Sequence, residues 1–236
     1  MEIGEIIKDA LVFPFNNIVS LVLYVVLGII ACVVAGGTFA SIMLGTAYKN
    51  IFAVIGSGII GMVVFLVLFF VISGYELDII KSGITRDPQG PRIDIVRQFI
   101  NGVKLFAVNI VYYIIPVIIG AILAVIFQHW LSGAITFIIA IIFSLAAIMA
   151  QCRLAKTEDV MYALNFGQAI GDISRVGIVK LILIIVIVAV IVLVLYFIAA
   201  LIMQWNTTVG GIIMGILGVY LVFFIGRATG LLYSDV

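Results

Sequence analysis

Three charged residues, Glu76, Arg153 and Arg227, each follow directly on a long apolar run of the sequence. Charged groups at such positions can pair across a helix bundle or bind lipid headgroups. Alternatively, each is simply the first charge after its run and reaches water along its own stem. Their matching positions favour a cluster in which Glu76 forms a salt bridge with Arg153 or Arg227, because charges near a low-dielectric boundary retain their attraction.

The residue types needed for catalysis, metal binding or phosphate binding are scarce. The sequence has one histidine, His129, which excludes a zinc helix of the His-Glu-x-x-His type. Its acidic residues lack the spacing of a metal site, and no glycine-rich loop precedes a Lys-Ser or Lys-Thr pair. We therefore expect no catalytic residue, no metal and no cofactor, and a protein that is not an enzyme. A net charge of +1 provides no basic field, so we expect no nucleic-acid partner.

Two residues inside the apolar runs have local consequences. Asn109 places an amide in an apolar run, and it should hydrogen-bond to a neighbouring helix, the alternative being a contact with a ligand. Pro116 predicts a kink, since proline removes one backbone hydrogen bond and crowds the preceding turn.

The elements that position these residues must span a membrane. The chain has 236 residues, of which 66% are hydrophobic, 12 basic and 11 acidic. A soluble domain is about 45–50% apolar and about 25% charged, and a compact chain of this length exposes too much surface to hide the excess. This excludes a soluble protein, a disordered chain and a disulfide scaffold. The sequence predicts an all-α integral membrane protein with a single polytopic membrane domain over residues 1–236.

Six apolar runs are long enough to cross a bilayer, which takes about 20 residues each. None contains Asp, Glu, Lys, Arg or His. Short turns at 45–50, 128–130 and 204–208 join them in pairs, and such turns force antiparallel neighbours. We predict six transmembrane helices in three hairpins, at 18–44, 51–75, 105–127, 131–152, 181–203 and 209–226.

The basic residues predict the orientation. Eleven of the twelve lie on the side that holds both chain ends, and only Lys49 lies on the other. Because basic loops stay in the cytoplasm, both termini are predicted on the cytoplasmic side of the cell membrane. Asn206-Thr207-Thr208, on the opposite side, matches a glycosylation acceptor, but it lies too near the membrane for us to expect a glycan.

An amphipathic segment precedes each hairpin. Apolar residues recur at helical spacing in 3–10, 96–103 and 169–176, with polar residues opposite. Such helices lie in the headgroup region or dock against the ends of the spans. The same unit therefore occurs three times, over about 1–83, 92–157 and 158–236. This pattern indicates a three-fold internal repeat of parallel units, the alternative being the two-span periodicity of unrelated bundles.

Several short stretches carry a family resemblance. They are Ile3-Gly4-Glu5-Ile6-Ile7-Lys8-Asp9-Ala10, Phe13-Pro14-Phe15-Asn16-Asn17, Ser73-Gly74-Tyr75-Glu76-Leu77-Asp78-Ile79-Ile80-Lys81-Ser82, Phe99-Ile100-Asn101-Gly102-Val103-Lys104 and Val111-Tyr112-Tyr113-Ile114-Ile115-Pro116. In this order they resemble the archaeal membrane family catalogued as domain of unknown function 4013. Residues 90–94 depart from that family's aromatic-rich approach to the second amphipathic helix. The resemblance implies archaeal origin and a helical membrane fold, and it implies no reaction.

These features favour a non-enzymatic multi-pass membrane protein with a structural, lipid-interacting or complex-subunit role. The expected partners are membrane lipids, together with either a second copy of the chain or another subunit of a membrane complex. The alternative is a channel or transporter for ions or small solutes, with its pathway between the three hairpins. A third hypothesis, an enzyme acting on lipids, requires clustered carboxylates with a bound metal at the inner edge.

Overall fold

The computed structural model describes residues 1–127 and 130–236, and these residues form an all-α fold. Six of the helices are long and apolar enough to cross a membrane, namely α2, α3, α4, α5, α8 and α9. In chain order the helices are α1 (Ile3–Asn16), α2 (Ile18–Ala47), α3 (Ile51–Ile84), α4 (Ile95–Ile126), α5 (Trp130–Thr157), α6 (Val160–Ala163), α7 (Phe166–Val176), α8 (Ile178–Trp205) and α9 (Thr207–Tyr233). The six predicted spans are confirmed. The predicted turn at 128–130 and its His129 fall largely outside the described residues.

The second amphipathic segment differs from the prediction of a separate helix. Residues 96–104 form the first turns of α4 and continue into its span without a break. The other two segments do end before their spans, α1 at Asn17 and α7 at Gly177, whose φ of 92° ends the helix. No such residue interrupts the backbone between Lys104 and Leu105, so nothing separates the amphipathic turns from the apolar ones.

Three helices occupy the middle of the bundle. The central helices, α3, α5 and α9, pack against one another, and α2, α4 and α8 lie around them. Of the amphipathic elements, α1 packs on α9, α7 packs on α5, and the first turns of α4 pack on α3. The α3–α4 contact is close because Gly74 and Gly102 have no Cβ: one added at either position would collide with the backbone of the facing helix.

Both ends of the chain lie at one end of the bundle, which we call the termini side. The amino group of Met1 lies 2.9 Å from Oδ2 of Asp235. The opposite end, with the connection after α2 and Asn206, is the turn side. Oδ1 of Asn206 accepts a hydrogen bond from the backbone N–H of Val209 at 3.1 Å, which caps α9.

Burial changes along the length of the bundle. Towards the termini side, Tyr75, Met149 and Phe224 have no exposed surface. Towards the turn side, Phe52 and Trp205 are 86% and 93% exposed. An apolar surface of this extent suits contact with lipid rather than water. The helices are therefore packed most tightly where the charged residues lie.

Candidate functional site

Three ion pairs on the termini side join a central helix to an amphipathic element. In each pair the partner on the central helix is almost completely buried, and the other partner belongs to a different predicted unit. The nitrogen–oxygen distances are 2.9 Å for Arg97–Asp78, 2.8 Å for Arg153–Asp172 and 2.7 Å for Arg227–Asp9.

Arg153, on α5, has every nitrogen of its guanidinium group engaged. Nη1 donates to Oδ2 of Asp172 at 2.8 Å, Nη2 donates to the side chain of Gln168, and Nε donates to the carbonyl of Tyr162 at 3.3 Å. The guanidinium carbon also lies 4.0 Å from the centre of the Tyr162 ring. Asp172 is 1% exposed and accepts a further hydrogen bond from the hydroxyl of Tyr233 at 2.6 Å. This buried ionic network holds α7 against α5.

Arg227, on α9, joins three parts of the chain. Its Nε donates to Oδ1 of Asp9 on α1 at 2.7 Å. Its Nη1 donates to the carbonyls of Ser82 at 3.1 Å and Asp87 at 2.6 Å, which lie at the end of α3 and just after it. The guanidinium carbon lies 4.6 Å from the centre of the Phe13 ring. One buried side chain thus fixes α1, α3 and α9 relative to one another.

Asp78, on α3, forms the third site with the opposite polarity, since here the central helix supplies the acid. Its carboxylate accepts from Nη2 of Arg97 at 2.9 Å, Nδ2 of Asn101 at 3.1 Å and Nε2 of Gln98 at 3.4 Å. The hydroxyl of Tyr24, on α2, donates to Oε1 of Gln98 at 2.5 Å. Asp78 is not among the residues predicted from the sequence, because Glu76 is the first charge at the end of the first hairpin.

The sites on α4 and α7 share one spacing. Arg97 and Asn101 are four residues apart, as are Gln168 and Asp172, and in each case both side chains reach the same buried group of a central helix. Residues four apart lie on one face of a helix. This shared spacing is a sequence signal for the polar face of each amphipathic element, and it does not identify the residue on which that face docks.

The predicted pairing of Glu76 with Arg153 or Arg227 is wrong. Both arginines take their carboxylates from amphipathic helices instead. Glu76 is half-buried, and among the described residues its side chain makes no ion pair within 4.0 Å and no hydrogen bond. Its backbone lies where α3 approaches Gly226 of α9. Successive helical residues turn by about 100°, so Glu76 and Asp78 face different neighbours.

The two residues singled out inside the apolar runs lie on α4. Oδ1 of Asn109 accepts a hydrogen bond from Nε2 of Gln151 on α5 at 2.9 Å, an interhelical contact of the kind predicted. Pro116 is buried, and α4 remains helical on both sides of it. The kink at Pro116 stays a prediction.

An exposed ion pair lies beside these buried ones. Nζ of Lys81 lies 2.5 Å from Oε1 of Glu158, and both side chains are nearly half exposed. Nζ of Lys104 donates to the backbone carbonyl of Glu158 at 2.9 Å. The hydrogen bond from Lys81 and its positive charge lower the pKa of the Glu158 carboxyl below its ordinary value.

The site's chemistry is charge neutralisation between helices. Each buried charge has a counterion and further hydrogen-bond partners, as burial of a charge requires. Within residues 1–127 and 130–236, no three His, Cys, Asp or Glu side chains come together in a way that could hold a metal ion.

The chain matches a family model over much of its length. The model of a family described as "Protein of unknown function (DUF4013)" matches residues 59–204, which is more than half of the chain. No curated protein and no solved structure matches the chain.

Proposed function

The chain belongs to the family of proteins of unknown function DUF4013, and we propose that it is a non-enzymatic multi-pass protein of the cell membrane. Its role is lipid-interacting, structural or that of a subunit in a membrane complex. Membrane lipids, and a second copy of the chain or another subunit, are the proposed partners. The archaeal source implied by the sequence resemblance remains a prediction.

The observation that carries this proposal is how the buried charges are used. Arg153 and Arg227 each direct their guanidinium nitrogens to protein acceptors and so hold an amphipathic helix in place. A catalytic or conducting site keeps such groups available for a substrate or an ion. Here they connect helices, and the remaining surface of the spans is apolar.

We further propose that units 1–83, 92–157 and 158–236 form an internal repeat about an axis along the membrane normal. The support is the cyclic order of the ion pairs. The central helix of each unit binds the amphipathic element of the next, and α9 of the third unit binds α1 of the first. Two-span periodicity alone does not require this order.

Thermal unfolding and flux together test the proposed role. The purified protein should unfold at a higher temperature when phospholipid is added to the detergent, because bound lipid stabilises the folded state. A fluorescent ion indicator trapped inside proteoliposomes should report the entry of added ions no faster than in protein-free vesicles. Ion or solute flux well above that control would overturn the proposal.

The orientation rests on the basic residues, eleven of which lie on the termini side. We propose that this side is cytoplasmic. In a variant without Cys32 and Cys152, a cysteine at Lys49 should react with an impermeant maleimide added to intact cells, and a cysteine at Asp87 should not. The reverse pattern would contradict the orientation.

A specific observation favours a channel or transporter as the second candidate. Glu76 is a half-buried acid near the contact of α3 with α9, and the described residues offer its side chain no ion pair. Unpaired acids within spans can bind cations or protons during transport. If flux is found, Glu76→Gln should abolish it under this hypothesis, and Asp235→Asn, which changes an acid at the exposed chain end, should not. Flux that persists in Glu76→Gln would show that Glu76 does not bind the transported ion.

A further inference from the structure

A shallow apolar groove of about 460 Å³ runs between α1 and α8 on the outside of the bundle. Its volume falls within the range of about 300–1,000 Å³ typical of small-molecule sites. Its lining residues are all apolar except one lysine, and they are Ile3, Gly4, Ile7, Lys8, Leu11, Val12 and Ile187. There is free space next to Gly4, because a Cβ added at this position would meet no atom within 4 Å.

Lys8 is the cation at the rim of this groove. It is exposed and makes no ion pair within 4.0 Å among the described residues. It also borders the polar niche beside Arg227, which contains the acids Glu5 and Asp9. Asp9 is paired with Arg227, and the Glu5 carboxylate accepts from the backbone N–H of Glu2. The ammonium group of Lys8 thus borders the groove without an ion-pair partner within 4.0 Å among the described residues, and it is accessible to an anion from outside the chain.

The groove lies at the level of the charged residues. Met1 and Lys180 both pair with Asp235, and Lys8 follows Met1 by seven residues, as Ile187 follows Lys180. Asp9, next to Lys8, pairs with Arg227, which precedes Asp235 by eight residues. Lys8 and the apolar wall at Ile187 are therefore at a similar depth in one groove, and a ligand that fills it must carry an anion next to apolar surface.

We infer that the groove binds a phospholipid with an anionic headgroup. The headgroup phosphate lies against Lys8, and the adjoining part of one acyl chain packs on the apolar lining between α1 and Ile187. Charge attraction selects the headgroup, and burial of apolar surface holds the chain. This inference rests on the lipid-interacting role proposed above and adds the position and the headgroup class.

Lipid retention in matched variants tests the inference. The wild type, Lys8→Gln, Gly4→Leu and the control Lys49→Gln are reconstituted with equal amounts of phosphatidylglycerol and phosphatidylcholine. Each is then extracted into mild detergent, and its bound lipid is measured by native mass spectrometry. Lys49→Gln removes the same charge on the turn side, far from the groove. Melting in lipid-free detergent, which should be the same for all four proteins, checks their folding.

The wild type and Lys49→Gln should retain phosphatidylglycerol in preference to phosphatidylcholine. Lys8→Gln should reduce that preference about five-fold, the effect of one basic residue at an anionic surface. Gly4→Leu should reduce retention of both lipids by filling the groove. Lys8→Gln and Gly4→Leu could retain lipid as the wild type does while added lipid still raises the melting temperature. That result would show that the groove is not the lipid site, and the lipid-interacting role would stand. If the wild type retains no lipid and is not stabilised by it, both proposals fail.

Discussion

Arg153 and Arg227 are buried to the same extent, each with 2% of the side chain exposed, but their acidic partners differ. Asp172 is 1% exposed, whereas Asp9 is 40% exposed. Arg153 depends on side chains of α7 and on one carbonyl, while Arg227 also donates to two backbone carbonyls. Both arginines hold an amphipathic helix in place, but Arg153 relies on its carboxylate partner more than Arg227 does.

This difference in burial and hydrogen bonding determines how much free energy of unfolding should be lost when the acid is neutralised. A buried guanidinium whose only carboxylate is removed remains as an uncompensated charge in a medium of low dielectric. One that retains two carbonyl acceptors, and whose acid was partly in water, loses less. Changing each carboxylate to its amide therefore gives a matched series, since the shape of the side chain is kept.

The largest effect should follow from Asp172→Asn. It leaves Arg153 buried without a counterion and also weakens the contact with the Tyr233 hydroxyl. We expect a loss of about 3–5 kcal/mol in the free energy of unfolding, measured by denaturant titration in mixed micelles. The double variant Arg153→Met with Asp172→Leu should recover much of this loss, because it buries no charge. A double variant less stable than Asp172→Asn would contradict the argument.

A smaller effect should follow from Asp9→Asn. Arg227 retains the carbonyls of Ser82 and Asp87, and Asp9 was already partly hydrated. The expected loss is roughly 1.5–3 kcal/mol by the same titration. Arg227→Met should cost more than Asp9→Asn, since it leaves both carbonyls without this donor. Equal losses for Asp9→Asn and Asp172→Asn would show that exposure of the acid has no influence here.

The smallest effect should follow from Glu158→Gln, which removes the exposed pair with Lys81. Exposed pairs contribute about 0.2–1 kcal/mol to the free energy of unfolding. Because salt screens exposed charges, about 1 M salt should reduce the loss caused by Glu158→Gln by a larger fraction than the loss caused by Asp172→Asn. The pKa of Glu158 is lowered in the folded protein. Its stabilisation is therefore complete above the ordinary carboxyl pKa and is lost as the pH falls through the folded value.

Melting temperatures of the wild type and Glu158→Gln across pH 3–7 check this sign. The two proteins should differ at neutral pH and converge at the acid end. A difference that grows as the pH falls would mean that Glu158 is not the group responsible.

The sequence was sufficient for the spans and for two of the three buried charges on the central helices. Hydropathy identifies apolar runs without knowledge of their neighbours, and Arg153 and Arg227 follow such runs directly. The partners could not be read in the same way. Asp9 and Arg227 are 218 positions apart, and periodicity gives the face of an amphipathic helix but not the helix on which that face docks.

The sequence also does not show which of two nearby acids, Glu76 or Asp78, forms the ion pair. Both follow the same apolar run, and only the packing of α4 on α3 decides which of them meets Arg97 and Asn101. The continuity of α4 was missed for a related reason. A change from amphipathic to apolar pattern predicts a change of environment, and a helix ends only where the backbone is interrupted, as at Gly177.

The link between Asp9 and Arg227 also constrains the order in which the protein can be assembled during synthesis. Asp9 leaves the ribosome first among these charged residues, and its partner is made 218 residues later. Until α9 is inserted, α1 lacks the helix on which it mainly packs and the arginine that pairs with Asp9. The final span then completes the cycle of ion pairs, so α1, which is made before the six spans, completes its native contacts only after the last of them is inserted.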